Sequence, residues 1–290
     1  MAESQNARLK RIFARRAATI VPGAFNALSA KMIADAGFDA VYVSGAGVTN
    51  AYLGVPDLAL ISLAELADNV MRMRNVMDLP IIVDADTGFG NAVNVTHTIR
   101  VLEQAGANGI QLEDQVFPKK CGHFAGKDVI DKDEAALKIK AAAEARRDKD
   151  FVIIARTDAR TVLGLEAALD RAHAFIAAGA DVTFVEAPES REEIEKIAKL
   201  PVPQLINLVF GGKTPIIEQA ELARMGYGVV LYANAGLQAM MLALRKAFKN
   251  LKEKGSTTGW EKDLLPFAER QAVVDKARFD SLEKRYAVRK

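Results

Sequence analysis

Four segments of this chain share one local pattern, in which helical periodicity ends at a glycine, a short turn follows and an apolar run begins. They are Ala36-Gly37-Phe38-Asp39, Ala105-Gly106-Ala107-Asn108, Ala178-Gly179-Ala180-Asp181 and Met225-Gly226-Tyr227-Gly228. Glycine closes a helix because it enters the left-handed region without steric conflict, and the apolar run after it reads as a buried strand. Candidate strands are Thr19–Val21, Ala40–Val43, Ile81–Val83, Gly109–Leu112, Val152–Ala155, Val182–Val185, Gln204–Ile206 and Val229–Leu231. Helices returning between strands require a parallel sheet. Eight such units in about 235 residues predict an α/β fold of the (β/α)8 TIM-barrel type. The competing architecture is a doubly wound open sheet, but no GxGxxG turn follows the first strand.

Beyond the eighth strand, Leu237 to Lys252 reads as a helix, 255–259 as a loop, and Phe267 to Tyr286 as one charged amphipathic helix. The expected organisation is a catalytic barrel over 1–255 and a helical tail over 256–290 that packs on a neighbouring subunit. Half of the 290 residues are hydrophobic, enough for a large core, yet the apolar runs are too short for a membrane span. Basic and acidic residues number 39 and 37 and are well mixed, which argues against a nucleic-acid partner. Lys10, Arg11, Arg15 and Arg16 fit a solvated helix face better than a phosphate grip. A single cysteine and no signal-peptide core place the expected protein in the cytoplasm.

In a barrel, functional groups collect at the carboxyl ends of the strands. Those ends carry Ser44-Gly45-Ala46-Gly47, Asp84-Ala85-Asp86-Thr87-Gly88, Glu113-Asp114, Arg156-Thr157-Asp158, Glu186, Asn207 and Tyr232-Ala233-Asn234. Asp84 and Asp86 along an extended segment, with Glu113 beside them, form an all-oxygen group that suits Mg2+, with Mn2+ possible, better than zinc. Arg156 is the natural anion clamp through two parallel hydrogen bonds, unless it pairs internally with the strand-end acids. Backbone N–H groups of Ser44-Gly45-Ala46 and Gly122-His123 can hold further carboxylate oxygens. The Phe210-Gly211-Gly212-Lys213-Thr214 run can instead cradle a phosphate, although Pro215 fits an ordinary helix start. His97 and His173 lie inside helical patterns and read as structural. The lone thiol, Cys121, sits in Lys119-Lys120-Cys121-Gly122-His123, whose lysines want water. Mixed charge tunes such a thiol toward acid–base work; the alternative is a buried cysteine acting as a small hydrophobe. No lysine ends a barrel strand, which argues against a Schiff-base aldolase.

Tyr42-Val43-Ser44-Gly45, Asp84-Ala85-Asp86-Thr87-Gly88-Phe89-Gly90, Gln111-Leu112-Glu113-Asp114 and above all Lys119-Lys120-Cys121-Gly122-His123 resemble the isocitrate lyase / phosphoenolpyruvate mutase superfamily from about Arg8 to Met241. The resemblance implies a (β/α)8 barrel, a homotetramer that exchanges a C-terminal helix, and Mg2+-dependent chemistry on small 2-oxo or 2-hydroxy diacids. It implies Asp84, Asp86, Glu113 and, through water, Asp57 as the metal's residues. Ser44, Gly45, Ala46 and Arg156 would hold the pyruvyl half of the substrate, and Gly122, His123, Glu186 and Asn207 the departing carboxylate. Cys121 would protonate the departing carbon, with Tyr42 or a metal-bound water as the base.

Methylisocitrate lyases of this superfamily carry a hydroxyl and an arginine where this chain has Val209 and Gln238. A third carboxylate without its cation would lose roughly 2 to 5 kcal/mol if desolvated. The run Asn207-Leu208-Val209-Phe210-Gly211-Gly212-Lys213-Thr214-Pro215 is similar to the branch with 2,3-dimethylmalate lyase and the petal death protein, apart from Phe210 where an acid is common. The expected activity is cleavage of a 2-alkylmalate to pyruvate and a short carboxylic acid. The alternatives are 2-methylisocitrate cleavage, then oxaloacetate hydrolysis or decarboxylation, or a phosphonate-forming mutase.

Overall fold

A computed structural model of the chain describes residues 3–120 and 126–288. Two compact units divide it, one running to Leu237 and one from Gln238 onward. In the first unit the strands are β1 (Thr19–Ala24), β2 (Val41–Val43), β3 (Ile81–Asp84), β4 (Gly109–Glu113), β5 (Val152–Thr157), β6 (Val182–Val185), β7 (Leu205–Asn207) and β8 (Val229–Tyr232). All pair in parallel in the order β6-β5-β4-β3-β2-β1-β8-β7, and a Thr183–Gln204 bridge joins the two outer strands. The sheet is therefore a barrel and the open-sheet alternative is set aside.

The four glycines of the repeated pattern, Gly37, Gly106, Gly179 and Gly226, have φ between +82° and +106°. Each turns the chain from helix into strand through a conformation that a Cβ would strain. Barrel closure needs one more: a side chain on Gly23 of β1 would lie 1.9 Å from the Ala233 carbonyl oxygen.

Side-chain alternation then makes two apolar layers. Val41, Val43, Ile81, Val83, Ile110 and Ile153 face the outer helices, where Leu66, Val70, Ile99 and Leu102 cover them. Val21, Ile82, Ile154, Phe184, Leu205 and Leu231 fill the interior, and Leu9, Ile12 and Phe13 of the first helix (Gln5–Ala14) join this layer. On that helix Lys10, Arg11 and Arg15 are exposed, Lys10 pairing with Asp150 and Arg11 with Glu3. The expected helix start at Pro215 is not found. That helix begins at Gln219, with Glu218 as its N-cap, and 208–218 form an irregular strand-end loop.

The second unit holds most of the helix Ala235–Lys254, a 3-10 turn at Glu261–Asp263, and helices Phe267–Val273 and Lys276–Tyr286. The single terminal helix expected from periodicity is two, because Asp275 between them adopts a left-handed conformation with φ +56°.

Candidate active site

Strands β2, β3 and β5 to β8 deliver polar termini to one cavity of about 430 Å³, counted with its mouth, and lined by Tyr42, Ser44, Ala46, Asp57, Asp84, Arg156, Glu186 and Asn207. Asp86, Glu113 and Gly45 stand against that lining. A Cβ on Gly45 would lie 3.1 Å from Asp86 Oδ1 and 3.3 Å from Asp84 Oδ2, so both carboxylates converge on the one position that has no side chain. Cys121, Gly122 and His123 lie outside the described residues.

Asp84 and Asp86 reach this point differently from the expected extended segment. The strand ends at Asp84, and Asp86 turns into the left-handed region at φ +47°. Its backbone N–H donates to Asp84 Oδ1 at 3.2 Å, while its carbonyl accepts from Glu113 N at 2.9 Å. A tight turn, rather than alternation, brings the two acids together.

Lys119 corrects a second expectation. It is 3% exposed rather than solvated, and its ammonium donates to Asp57 Oδ1 at 2.6 Å and Oδ2 at 2.7 Å while lying 2.8 Å from Asp86 Oδ1. Two buried carboxylates repel each other unless a cation stands between them, and this lysine supplies it. Burial would lower the lysine's pKa, but Asp86, Glu113 and Asp84 together hold it well above its ordinary value. Lys119 enters the cavity wall even though it ends no strand. Held as an ammonium, it cannot act as the free amine a Schiff base needs.

Burial pushes Asp86 up to about 7 against the pull of Lys119, and it raises Glu113 against the pull of Arg156. Burial, with Asp84 beside it, raises the Tyr42 phenol well above 10, so Tyr42 is a neutral hydrogen-bond donor at physiological pH.

Arg156 lies inside an acidic ring. Asp158 takes its Nε at 2.9 Å and Nη2 at 3.1 Å, Glu186 Oε2 lies 3.1 Å from Nη2, and Glu113 Oε2 3.4 Å from Nε. The internal pairing weighed in the sequence is therefore real, and Asp158 occupies the bidentate face. Nη1 takes part in none of these contacts. Ser44 caps the short helix Gly45–Val48: its hydroxyl accepts from Gly47 N at 3.1 Å and donates to Asn234 Oδ1 at 3.1 Å. That fixes the first-turn N–H groups of Gly45 and Ala46, which no helical carbonyl can reach.

Seven buried carboxylates at the strand ends (Asp57, Asp84, Asp86, Glu113, Asp114, Asp158 and Glu186) outnumber the enclosed cations set among them, Lys119, Lys127, Lys138, Arg156 and Arg171, among the described residues. Glu113 Oε1 has no hydrogen-bond partner there. No three of the described acids, thiols or imidazoles enclose an ion by themselves. Excess negative charge, an orphaned carboxylate oxygen and an incomplete oxygen shell fit a hard divalent ion that keeps waters and takes ligand oxygens.

Similarity to known proteins agrees with this geometry. The phosphoenolpyruvate phosphomutase family profile matches residues 9–252. The chain belongs to the phosphoenolpyruvate mutase / isocitrate lyase superfamily. It is 40% identical to the 2,3-dimethylmalate lyase of Eubacterium barkeri, over 97% of this chain and 98% of that one. It is 43% identical to the 2-methylisocitrate lyase of Aeropyrum pernix, over 89% and 82%. A crystal structure of phosphonopyruvate hydrolase in complex with oxalate and Mg2+ superposes with a TM-score of 0.89 at 30% identity, covering 98% of this chain and 99% of that one. Enzymes of this superfamily are generally Mg2+-dependent.

The strand-end pattern reached Asp158 and Asn234 without giving either a role, and it did not reach Lys127. Lys127 and Asp158 form a pair 2.6 Å apart whose side chains are 1% and 0% exposed. A lysine followed by an aspartate looks like a solvated loop; only the fold shows where the ammonium goes.

Proposed function

We propose that the chain is a Mg2+-dependent carbon–carbon lyase that splits a 2-alkylmalate of the 2,3-dimethylmalate type into pyruvate and a short carboxylic acid. The observation that carries the substrate class is the cavity wall on the β6–β8 side. There Phe184, Leu231 and Ala233 are apolar, and Asn207 and Asn234 are neutral amides. A third substrate carboxylate would meet no cation on that wall among the described residues, whereas an alkyl group suits it. The 40% identity to a 2,3-dimethylmalate lyase over nearly the whole chain supports the same reading.

Asp84, Asp86 and Glu113, with Asp57 through water, would hold the ion. Bound there, it would polarise the substrate's C2 oxygen and C1 carboxylate as a Lewis acid. Arg156 Nη1 and the N–H groups of Gly45 and Ala46 orient the pyruvyl carboxylate, and Tyr42 donates a hydrogen bond from the cavity floor. Loss of the C2 hydroxyl proton to water held among the floor carboxylates re-forms a carbonyl as the C2–C3 bond breaks. The bond's electron pair passes into the departing acid as an enediolate. The Cys121 thiol then gives that carbon its proton. Asn207, with Gly122 and His123, binds the departing carboxylate, and Glu186, paired with Arg156, orients the guanidinium beside it. The exposed apolar side chains Leu242, Phe248 and Phe267 of the C-terminal helices support a homotetramer packed through the tail.

Pyruvate release should be measured with Mg2+ across malate, 2,3-dimethylmalate, 2-methylisocitrate, isocitrate and oxaloacetate. Fastest turnover of dimethylmalate, abolished by a chelator and in Cys121→Ser, is expected. Faster release from methylisocitrate overturns the substrate assignment, and a fully active Cys121→Ser overturns the lyase mechanism.

A further inference from the structure

Asp158 Oδ1 is shared by two cations: Lys127 Nζ at 2.6 Å and Arg156 Nη2 at 3.1 Å. Its other oxygen takes Arg156 Nε at 2.9 Å. The backbone that carries this carboxylate is pinned, because the Asp158 N–H donates to Asp114 Oδ1 at 2.9 Å and the neighbouring Thr157 hydroxyl to Asp114 Oδ2 at 2.6 Å. Asp114 is in turn held by Arg171 at 3.1 Å. Arg156 itself lies over the Phe184 ring and reaches Glu186 with the same Nη2. A carboxylate between two buried cations divides its charge between them, so the grip on one weakens as the other draws closer.

We propose that Lys127 is a positioning residue for substrate binding: by holding Asp158 Oδ1, it limits the claim of Asp158 on Arg156 and leaves the guanidinium edge at the cavity available to a substrate carboxylate. The burial of the pair supports this. A fully enclosed lysine–aspartate bridge adds little net stability over apolar packing, so its place beside the anion-binding arginine points to the site rather than to the fold. The inference rests on the reading of the cavity as a diacid site.

The test is oxalate binding to the Mg2+-loaded protein by calorimetry, together with steady-state kinetics on whichever diacid the wild type cleaves. Lys127→Met should weaken oxalate about tenfold or more and raise KM by a similar factor, with kcat within about threefold of wild type. Lys127→Arg, which keeps the charge, should stay within about threefold of wild type in both. If Lys127→Met does not fold, Lys127→Gln replaces it with the same expectation. Unchanged oxalate affinity and KM in a folded neutral variant overturn the proposal while leaving the diacid site standing, and so does loss through kcat alone. A wild type that neither binds oxalate nor cleaves any diacid overturns both.

Discussion

Lys119 Nζ lies 2.8 Å from Asp86 Oδ1 in a position nearly closed to water. With Asp57 on its other side, this ammonium neutralises the floor of the cavity. Lys119→Met therefore strands two carboxylates, at a cost of about 3–5 kcal/mol in unfolding free energy. A divalent ion bound among the same acids would take over part of that neutralisation. Mg2+ should consequently raise the melting temperature of Lys119→Met by more than it raises that of wild type. Thermal unfolding with and without Mg2+ checks this, and equal Mg2+ shifts in the two proteins contradict it.

Tyr42 is held as a phenol by burial and by Asp84, which sets what its removal does. Tyr42→Phe should lower kcat by about 10- to 100-fold through a lost hydrogen-bond donor. The shape of the pH–rate profile should stay that of wild type up to about pH 9, since the group titrates above its ordinary value near 10. Disappearance of an ionisation from the variant's profile would restore Tyr42 as the base.

Much of this architecture is legible in the sequence because it rests on local chemistry. Gly37, Gly106, Gly179 and Gly226 each end a helix by the same left-handed turn, so the repeat can be read one unit at a time. Asp84, Glu113, Arg156 and Glu186 are readable because a barrel strand must end where the cavity begins. The side chains that escape a linear reading owe their placement to distant partners. Lys119 turns inward toward Asp57, 62 positions away, and Lys127 toward Asp158, 31 positions away. Nothing in the spacing of Lys119 and Lys120 distinguishes the lysine that is buried from the half-buried one that lines the cavity and donates to Gly126 O. Asp275, which splits the terminal helix, has good helical neighbours and adopts its left-handed conformation without a glycine to announce it.

Arg160 joins the helix after β5 to the helix after β6 through Glu193, at 2.8 and 3.0 Å, next to the strand ends that carry Arg156 and Glu186. Partial burial would raise the Glu193 pKa, but the guanidinium and the Glu189 N–H outweigh it and the net shift is downward. A carboxylate whose folded pKa lies below its unfolded value contributes stability above the unfolded value and loses it as pH falls through the folded one. Glu193→Gln should therefore melt below wild type at pH 7, by the equivalent of about 1 kcal/mol or less for this partly solvated pair. The two melting temperatures should converge below about pH 4, as the wild-type carboxyl takes up its proton. A gap that persists unchanged to pH 3 would mean that packing, rather than charge, sets the difference.

Phe13 is 2% exposed and joins the interior layer of the barrel with Leu9, Val152, Val182 and Val229. These strand residues precede the catalytic ends of β5, β6 and β8, so Phe13 supports the barrel at the end away from the cavity. Gly228 marks how tight the fit is, because a Cβ there would lie 3.0 Å from the Phe13 carbonyl oxygen and 3.1 Å from its ring. With so little room for collapse, Phe13→Ala should leave a cavity and cost about 3–5 kcal/mol in stability. The strand ends are held by the last rungs of their ladder, Glu113–Arg156 and Thr157–Val185, and by the Asp114 and Asp158 network, at the other end of the strands from Val152 and Val182. At temperatures well below its lowered melting point, the variant should therefore keep KM and kcat within about threefold of wild type. Denaturant unfolding measures the first effect and pyruvate release the second. A large rise in KM without loss of stability would show that the barrel floor and the catalytic mouth are mechanically coupled.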